Sequence, residues 1–164
     1  MKKHHPFFLL LLALTGCQVQ PSLPTVPEFE LSRYLGKWYE TARLDHSFER
    51  GMSEVSAHYS LNEDGTVKVI NSGIRDGKRR SITGVAKTAK TPGELRVSFF
   101  RPFYGSYRVV ALTPDYSLAM VVSGNSRKYL WILSRTPEAD PELVQQYLEL
   151  ARSYGFDTGK IIFP

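Results

Sequence analysis

Few residues in this chain offer groups for covalent or acid–base chemistry. There is one cysteine, Cys17, and beyond the first sixteen residues the histidines are His46 and His58. A lone thiol makes neither an intrachain disulfide nor a cysteine zinc site. Asp45-His46 is a carboxylate–imidazole neighbour pair, but it falls where a strand is expected to run into a polar loop, and His58 has outward parity in its strand. Gly51-Met52-Ser53-Glu54-Val55 begins like a nucleophile elbow, then lacks the closing glycine and the strand-to-helix setting. No phosphate-cradling glycine loop and no His-Glu-x-x-His pair is present. Glu40, two residues after Trp38, is a single carboxylate without an acid–base partner. These observations point away from an enzyme and imply no cofactor and no metal. What remains is the chemistry of the Cys17 thiol and of apolar surface.

The elements that must position Cys17 come first in the chain. Lys2 and Lys3 give a positive start, and Phe7 to Leu14 is an apolar run of eight residues, too short to span a bilayer. Leu14-Thr15-Gly16-Cys17 follows. That tetrad resembles the bacterial lipobox, in which the cysteine becomes residue one, its sulfur carries diacylglycerol and its amino group is acylated. The resemblance divides the chain into a lipoprotein signal peptide (1–16), a lipidated proline-rich tether (17–28) and a domain (29–164). Several acyl chains together anchor a protein far better than one. Gln18, rather than an aspartate, implies export to the outer membrane, on its periplasmic face. Pro21, Pro24 and Pro27 recur at every third position, which suits an extended, stiff spacer.

The rest of the chain reads as strand after strand. Nine Tyr, nine Phe and two Trp favour sheet and apolar pockets. The formal charge of +5 falls to +3 without Lys2 and Lys3, an excess too small for a nucleic-acid binder. Arg75, Lys78, Arg79 and Arg80 surround an Asp76-Gly77 turn. This cluster reads as a solvated hairpin tip, with contact to lipid headgroups as the alternative. Strands are expected at 37–44, 54–61, 66–74, 80–88, around Leu95 to Phe99, and at 106–112, 116–123 and 128–135, separated by turn residues. Short connections predict antiparallel neighbours in an all-β, eight-stranded up-and-down barrel. Asp140-Pro141 then opens a helix whose apolar face is Leu143, Tyr147, Leu150, Ala151 and Tyr154, and Gly155 ends it before a short last strand.

Three stretches carry a family resemblance: Leu35-Gly36-Lys37-Trp38-Tyr39-Glu40, Thr113-Pro114-Asp115-Tyr116 and Trp131-Ile132-Leu133-Ser134-Arg135-Thr136-Pro137. Together they resemble the signature of the lipocalins, over about residues 29–162. Leu35 to Arg50, Val97 to Tyr107 and Tyr129 to Pro137 are similar to the bacterial outer-membrane lipoprotein members. The resemblance implies that Trp38 closes one barrel end with Arg135 packed across it. Gly36, Trp38, Asp115, Tyr116 and Arg135 are then structural residues.

An eight-stranded barrel has room for one small ligand, and parity along each strand selects its wall. If Trp38 points inward, so do Glu40, Ala42 and Leu44. The expected ligand-binding set is Ala42, Leu44, Val55, Tyr59, Val69, Val97, Phe99, Tyr104, Tyr107, Tyr129 and Trp131, with Phe48, Phe103 and Tyr104 as a rim. This lining suits an acyl chain, and the resemblance implies fatty acids or lysophospholipids and a part in envelope maintenance. A haem or other small hydrophobic ligand carrier, and an envelope scaffold that binds no lipid, are the alternatives. A homodimer is left open.

Overall fold

Strict alternation, as in Val67-Lys68-Val69, turns one face of a strand to an apolar interior and the other to water. Eight such strands, each paired to the next, close on themselves and leave no flat edge. The computed structural model describes residues 22–164, so the signal segment and Cys17 lie outside the described residues. A four-residue helix, α1 (Leu31–Tyr34), precedes β1 (Gly36–Leu44), β2 (Ser53–Leu61), β3 (Val67–Arg75), β4 (Lys78–Thr88), β5 (Glu94–Phe100), β6 (Phe103–Leu112), β7 (Leu118–Val122) and β8 (Leu130–Ser134). Helix α2 (Pro141–Ser153) and the two-residue β9 (Ile161–Ile162) follow. Consecutive strands pair antiparallel and β8 returns to β1, which closes the barrel, while β9 lies against the end of β1. The expected barrel, helix and final strand are all present. The connections β1–β2, β3–β4, β5–β6 and β7–β8 gather at one end, the mouth; the other connections and α1 gather at the floor.

Helix α2 starts where its capping chemistry predicts, with the Asp140 side chain accepting from Glu142 N at 2.9 Å and Pro141 at the first position. Its apolar face covers the outer wall rather than the interior. Val144 and Ala151 are buried with Leu118, Met120, Val122, Leu130 and Ile132, and Leu143, Tyr147 and Leu150 pack on that cluster. A second buried cluster, with Trp38, Tyr59, Val67, Val69, Leu95, Val109 and Val121, fills the lower barrel. Alternate residues of β7 and β8 therefore serve two different cores.

The floor is sealed by a few interactions of one residue. Trp38 is fully buried, and its Nε1 donates to Tyr34 O at 2.8 Å. The Arg135 guanidinium lies 3.9 Å above the indole centroid. It also donates to the carbonyls of Leu35 (2.8 Å), Lys37 (3.1 Å), Arg33 (2.6 Å) and Tyr116 (3.3 Å). Gly36 has φ +92°, and a Cβ there would sit 3.3 Å from Arg135 Nη1, so both backbone and space call for glycine. Tyr116 braces the same end: its hydroxyl accepts from Glu30 N at 2.9 Å, and Arg33 stacks 4.0 Å over its ring. Asp115 Oδ1 accepts from the Ser117 backbone and hydroxyl and fixes the turn.

Trp38→Ala should cost about 3–5 kcal/mol in a urea melt, as truncation of a large buried aromatic does. Arg135→Lys should lose about 1–3 kcal/mol, because an ammonium cannot serve four carbonyls and an indole face together. A native-like midpoint for either variant would show that the floor does not depend on this pair.

Candidate functional site

The barrel interior is lined from opposite walls by small and apolar side chains. Val97 and Gly105 face each other across β5 and β6, as do Leu95 and Tyr107 one step lower. Val69 faces Tyr59 on one side and Gly84 on the other. Ala57, Val97, Phe99, Tyr107 and Trp131 border the interior cluster yet are only half-buried. A Cβ added to Gly105 would meet nothing nearer than Val97 O at 3.8 Å, so open space lies in front of it. Gly84 differs: a Cβ there would run into the Phe99 ring at 2.7 Å, so Phe99 uses the room that glycine leaves. The β4–β5 ladder covers only Val85–Thr88. Beyond it, a cleft of about 220 Å³ lined by Gly84, Ser98, Phe99 and Arg101 opens in the wall near the mouth.

Deep in the barrel, three tyrosines meet. Tyr34 OH lies 2.6 Å from Tyr107 OH, which lies 3.0 Å from Tyr59 OH. Burial pushes all three hydroxyls up, Tyr59 to about 12, so each stays protonated. Three protons shared over two contacts leave one donor at an end of the row. Tyr34 comes from α1, outside the strand pattern, and its role was not legible from parity.

A buried charged cluster lies toward the mouth. Strand β1 carries a bulge between Glu40 and Ala42. Glu40 is opposite Leu133 and Arg43 opposite Trp131, so both project inward from one strand, and Arg43 Nη1 donates to Glu40 Oε1. The β1–β2 connection folds over them. Arg43 Nη2 donates to Glu49 O at 2.9 Å, and Trp131 Nε1 donates to Glu49 Oε2 at 3.0 Å. His46 Nε2 stands 3.0 Å from the same oxygen, at ion-pair distance though off the line of a hydrogen bond. The Phe48 ring stacks on His46 at 3.9 Å, and Tyr129 stacks on Trp131 at 6.2 Å. Burial, then the Glu49 charge, pushes the Glu40 carboxyl up to about 8, with Arg43 pulling the other way. Burial opposes the Glu49 charge too, but the nearby His46, the Trp131 N–H and the Arg43 charge outweigh it and hold this carboxyl below its ordinary range. Two buried carboxylates so close do not both ionise readily, and Glu40 is the one that keeps its proton. Among the described residues, no group of three His, Cys, Asp or Glu is placed to hold a metal.

Against the expected lining, Tyr59, Val69, Val97, Phe99, Tyr107 and Trp131 belong to the interior cluster, and Val55 is buried beside Gly73 and Met52. Ala42 and Leu44 do not line the interior. The bulge shifts parity, and both join the outer cluster with Val144 and Ala151. Tyr104 turns outward, with Lys87 Nζ 5.4 Å over its ring, because β6 alternates and Gly105 and Tyr107, paired with Val97 and Leu95, take the inward face. His46, expected in a polar loop, is buried. Arg43 and Glu49 were not expected at all, since nothing in Glu40-Thr41-Ala42-Arg43 marks an extra residue in the ladder. His58 is exposed, as its parity implied.

The sign of the pH dependence follows from Glu40. Its pKa is higher folded than unfolded, so its contribution is full below about 4.5 and is lost as pH rises through about 8. The melting temperature should therefore fall between pH 6 and pH 9, and Glu40→Gln should flatten that decline. An unchanged slope in the variant would assign the dependence elsewhere.

A family model described as a lipocalin-like domain matches residues 29–164. The outer membrane lipoprotein Blc of Vibrio cholerae serotype O1 is 46% identical over 164 residues, 95% of each chain. The protein of the same name from Escherichia coli K12 is 44% identical over 94% of this chain and 89% of its own. Rat apolipoprotein D is 34% identical over 86% and 79%. Among solved structures, insecticyanin from the tobacco hornworm Manduca sexta superposes with a TM-score of 0.71 at 23% identity, covering 88% of this chain and 84% of that one, a likeness of fold. The chain belongs to the lipocalin family, and its place, like that of its lipoprotein relatives, is lipid-anchored at the outer membrane.

Proposed function

We propose that this lipocalin takes up a single-tailed lipid, a fatty acid or lysophospholipid, in the upper barrel, and that acylated Cys17 holds it on the periplasmic face of the outer membrane. The observation that carries the reading is the open space before Gly105, on the inward face that it shares with Val97 and Tyr107. Each methylene moved there from water gains about 0.8 kcal/mol, so a long tail needs no ion pair to bind. The tail would point down toward the tyrosine row. The headgroup would stay near the mouth, where Asn71 Oδ1 and Arg43 Nε have no protein partner. The lipobox tetrad supports acylation of Cys17, and the relatives' printed name supports the anchor. Envelope maintenance, by moving lipids that would otherwise sit in water, is the role this chemistry suits.

Gly105→Phe places a ring in the space proposed for the tail, on backbone without positive φ. Native mass spectrometry of the delipidated variant should show lipid uptake reduced at least about tenfold, which at about 1.4 kcal/mol is less than one large apolar side chain contributes. Its melting temperature should stay near that of the parent. Undiminished uptake of palmitate and lysophosphatidylethanolamine would sink the cavity assignment.

Mass spectrometry of the N-terminal peptide from membrane-extracted protein should find Cys17 as the first residue, carrying diacylglyceryl and acyl mass. An unmodified thiol there would mean another anchor.

A further inference from the structure

The path of the N-terminal segment and the make-up of the mouth converge on one orientation. Phe29 packs on Tyr34 at the floor, with ring centroids 5.1 Å apart. Upstream, Val26 N donates to Val109 O at 2.9 Å, and Leu23 is buried in the outer cluster while its carbonyl accepts from Arg108. Ser22 borders a cleft of about 480 Å³ that runs along the wall from Thr91 and Glu94 at the β4–β5 turn, past Ser106 and Arg108, to Gly124 and Asn125 of the β7–β8 connection, a mouth loop. Residues 22–28, expected to be spacer, are thus laid along the barrel wall, rising from the floor toward the mouth end. Only residues 18–21 separate Ser22 from Cys17. Five extended steps reach at most about 18 Å.

The mouth is also the apolar and basic end. Of the large hydrophobic side chains left exposed, Phe100 (72%), Phe103 (79%), Phe48 and Ile82 stand in its loops or the strands running into them. Arg75, Lys78, Arg79, Arg80 and Arg101 stand in the same loops and strand ends, against Asp76, Glu54 paired with Arg79, and Asp45 paired with Arg50. The floor mixes both signs, with Glu30, Glu63, Asp64 and Asp115 beside Arg33, Lys37, Lys90 and Arg135. Half of β4, Lys78–Gly84, is laddered to β3 alone, so this basic hairpin projects past the closed wall. Protruding aromatics ringed by cations are what an anionic lipid surface takes up, by shallow insertion and headgroup attraction.

We propose that the mouth docks on the anionic headgroup surface of the membrane that anchors the protein, with Phe100 and Phe103 inserted and the β3–β4 tip against the phosphates. This rests on acylation of Cys17 and gives the proposed carrier a direct route, in which a lipid passes between leaflet and barrel without crossing water.

The test uses acylated full-length protein in phosphatidylglycerol–phosphatidylethanolamine vesicles. An environment-sensitive fluorophore is attached at position 103 (Phe103→Cys) or at position 63 on the floor (Glu63→Cys), native Cys17 being blocked by its acyl groups. Emission at position 103 should shift to the blue and be quenched by nitroxide lipids, while position 63 reports water. Quenching at 63 alone, or at neither, overturns the proposal. Paired Phe100→Ser/Phe103→Ser and Arg79→Glu/Arg80→Glu variants should slow lipid transfer from vesicles several-fold, yet match the parent when lipid is supplied without vesicles. No uptake by the parent under any supply would refute the carrier reading; normal uptake with position 103 in water would refute docking alone. A blue shift at 103 that appears without vesicles and tracks a concentration-dependent dimer would assign the rim to a second copy and overturn the membrane contact.

Discussion

The barrel depends on Arg135 lying over Trp38. The indole sits at the start of the first strand and the guanidinium just past the last strand of the barrel, so one contact joins the two ends of the closed sheet. The same guanidinium serves carbonyls in and around α1, which ties the floor plug to the wall. Cation–π attraction here is strengthened by desolvation of the indole. With the floor fixed, Tyr34 is held inside the barrel, and the interior becomes a blind tube with one way in.

The tube is graded along its axis. At the bottom lies a dry row of tyrosine hydroxyls, satisfied mainly by one another. Above it come small and apolar residues, with room at Gly105. At the top, Arg43, Glu40, Glu49 and His46 crowd under a folded loop, with Trp131 holding Glu49. Burying so many charges is costly, and the protonation of Glu40 removes one of them. A hydrophobic middle with polar ends is the arrangement an amphipathic lipid matches. The outer core under α2 keeps the wall rigid without using the interior, because β7 and β8 present apolar side chains on both faces.

Most of the fold was legible in the sequence. Turn residues and period-two alternation located all eight barrel strands to within a few residues, and Asp140-Pro141 marked the helix start. The site was legible where parity ran unbroken, as along β3 and the lower part of β5. It failed at the β1 bulge and at Tyr104. One extra residue at Thr41 sends Ala42 and Leu44 to the helix and brings Arg43 inside, whereas Tyr104 points outward by plain alternation, since Gly105 and Tyr107 pair with the inward Val97 and Leu95. A bulge inverts every side chain beyond it.

The sequence by itself determined the strands and the turns, because these depend on local backbone preference and on residue types at short spacing, and it carried Gly36, Trp38, Arg135 and the lipobox tetrad as family resemblances. Only the tertiary structure decided which carboxyl keeps its proton, that the Glu49 loop folds over the mouth, that residues 22–28 run along the wall, and where open space remains. Those outcomes depend on contacts between residues 82 and 85 positions apart, such as Trp131 with Glu49 and Arg108 with Leu23. Burial and packing set them, and neither is defined until the barrel has closed.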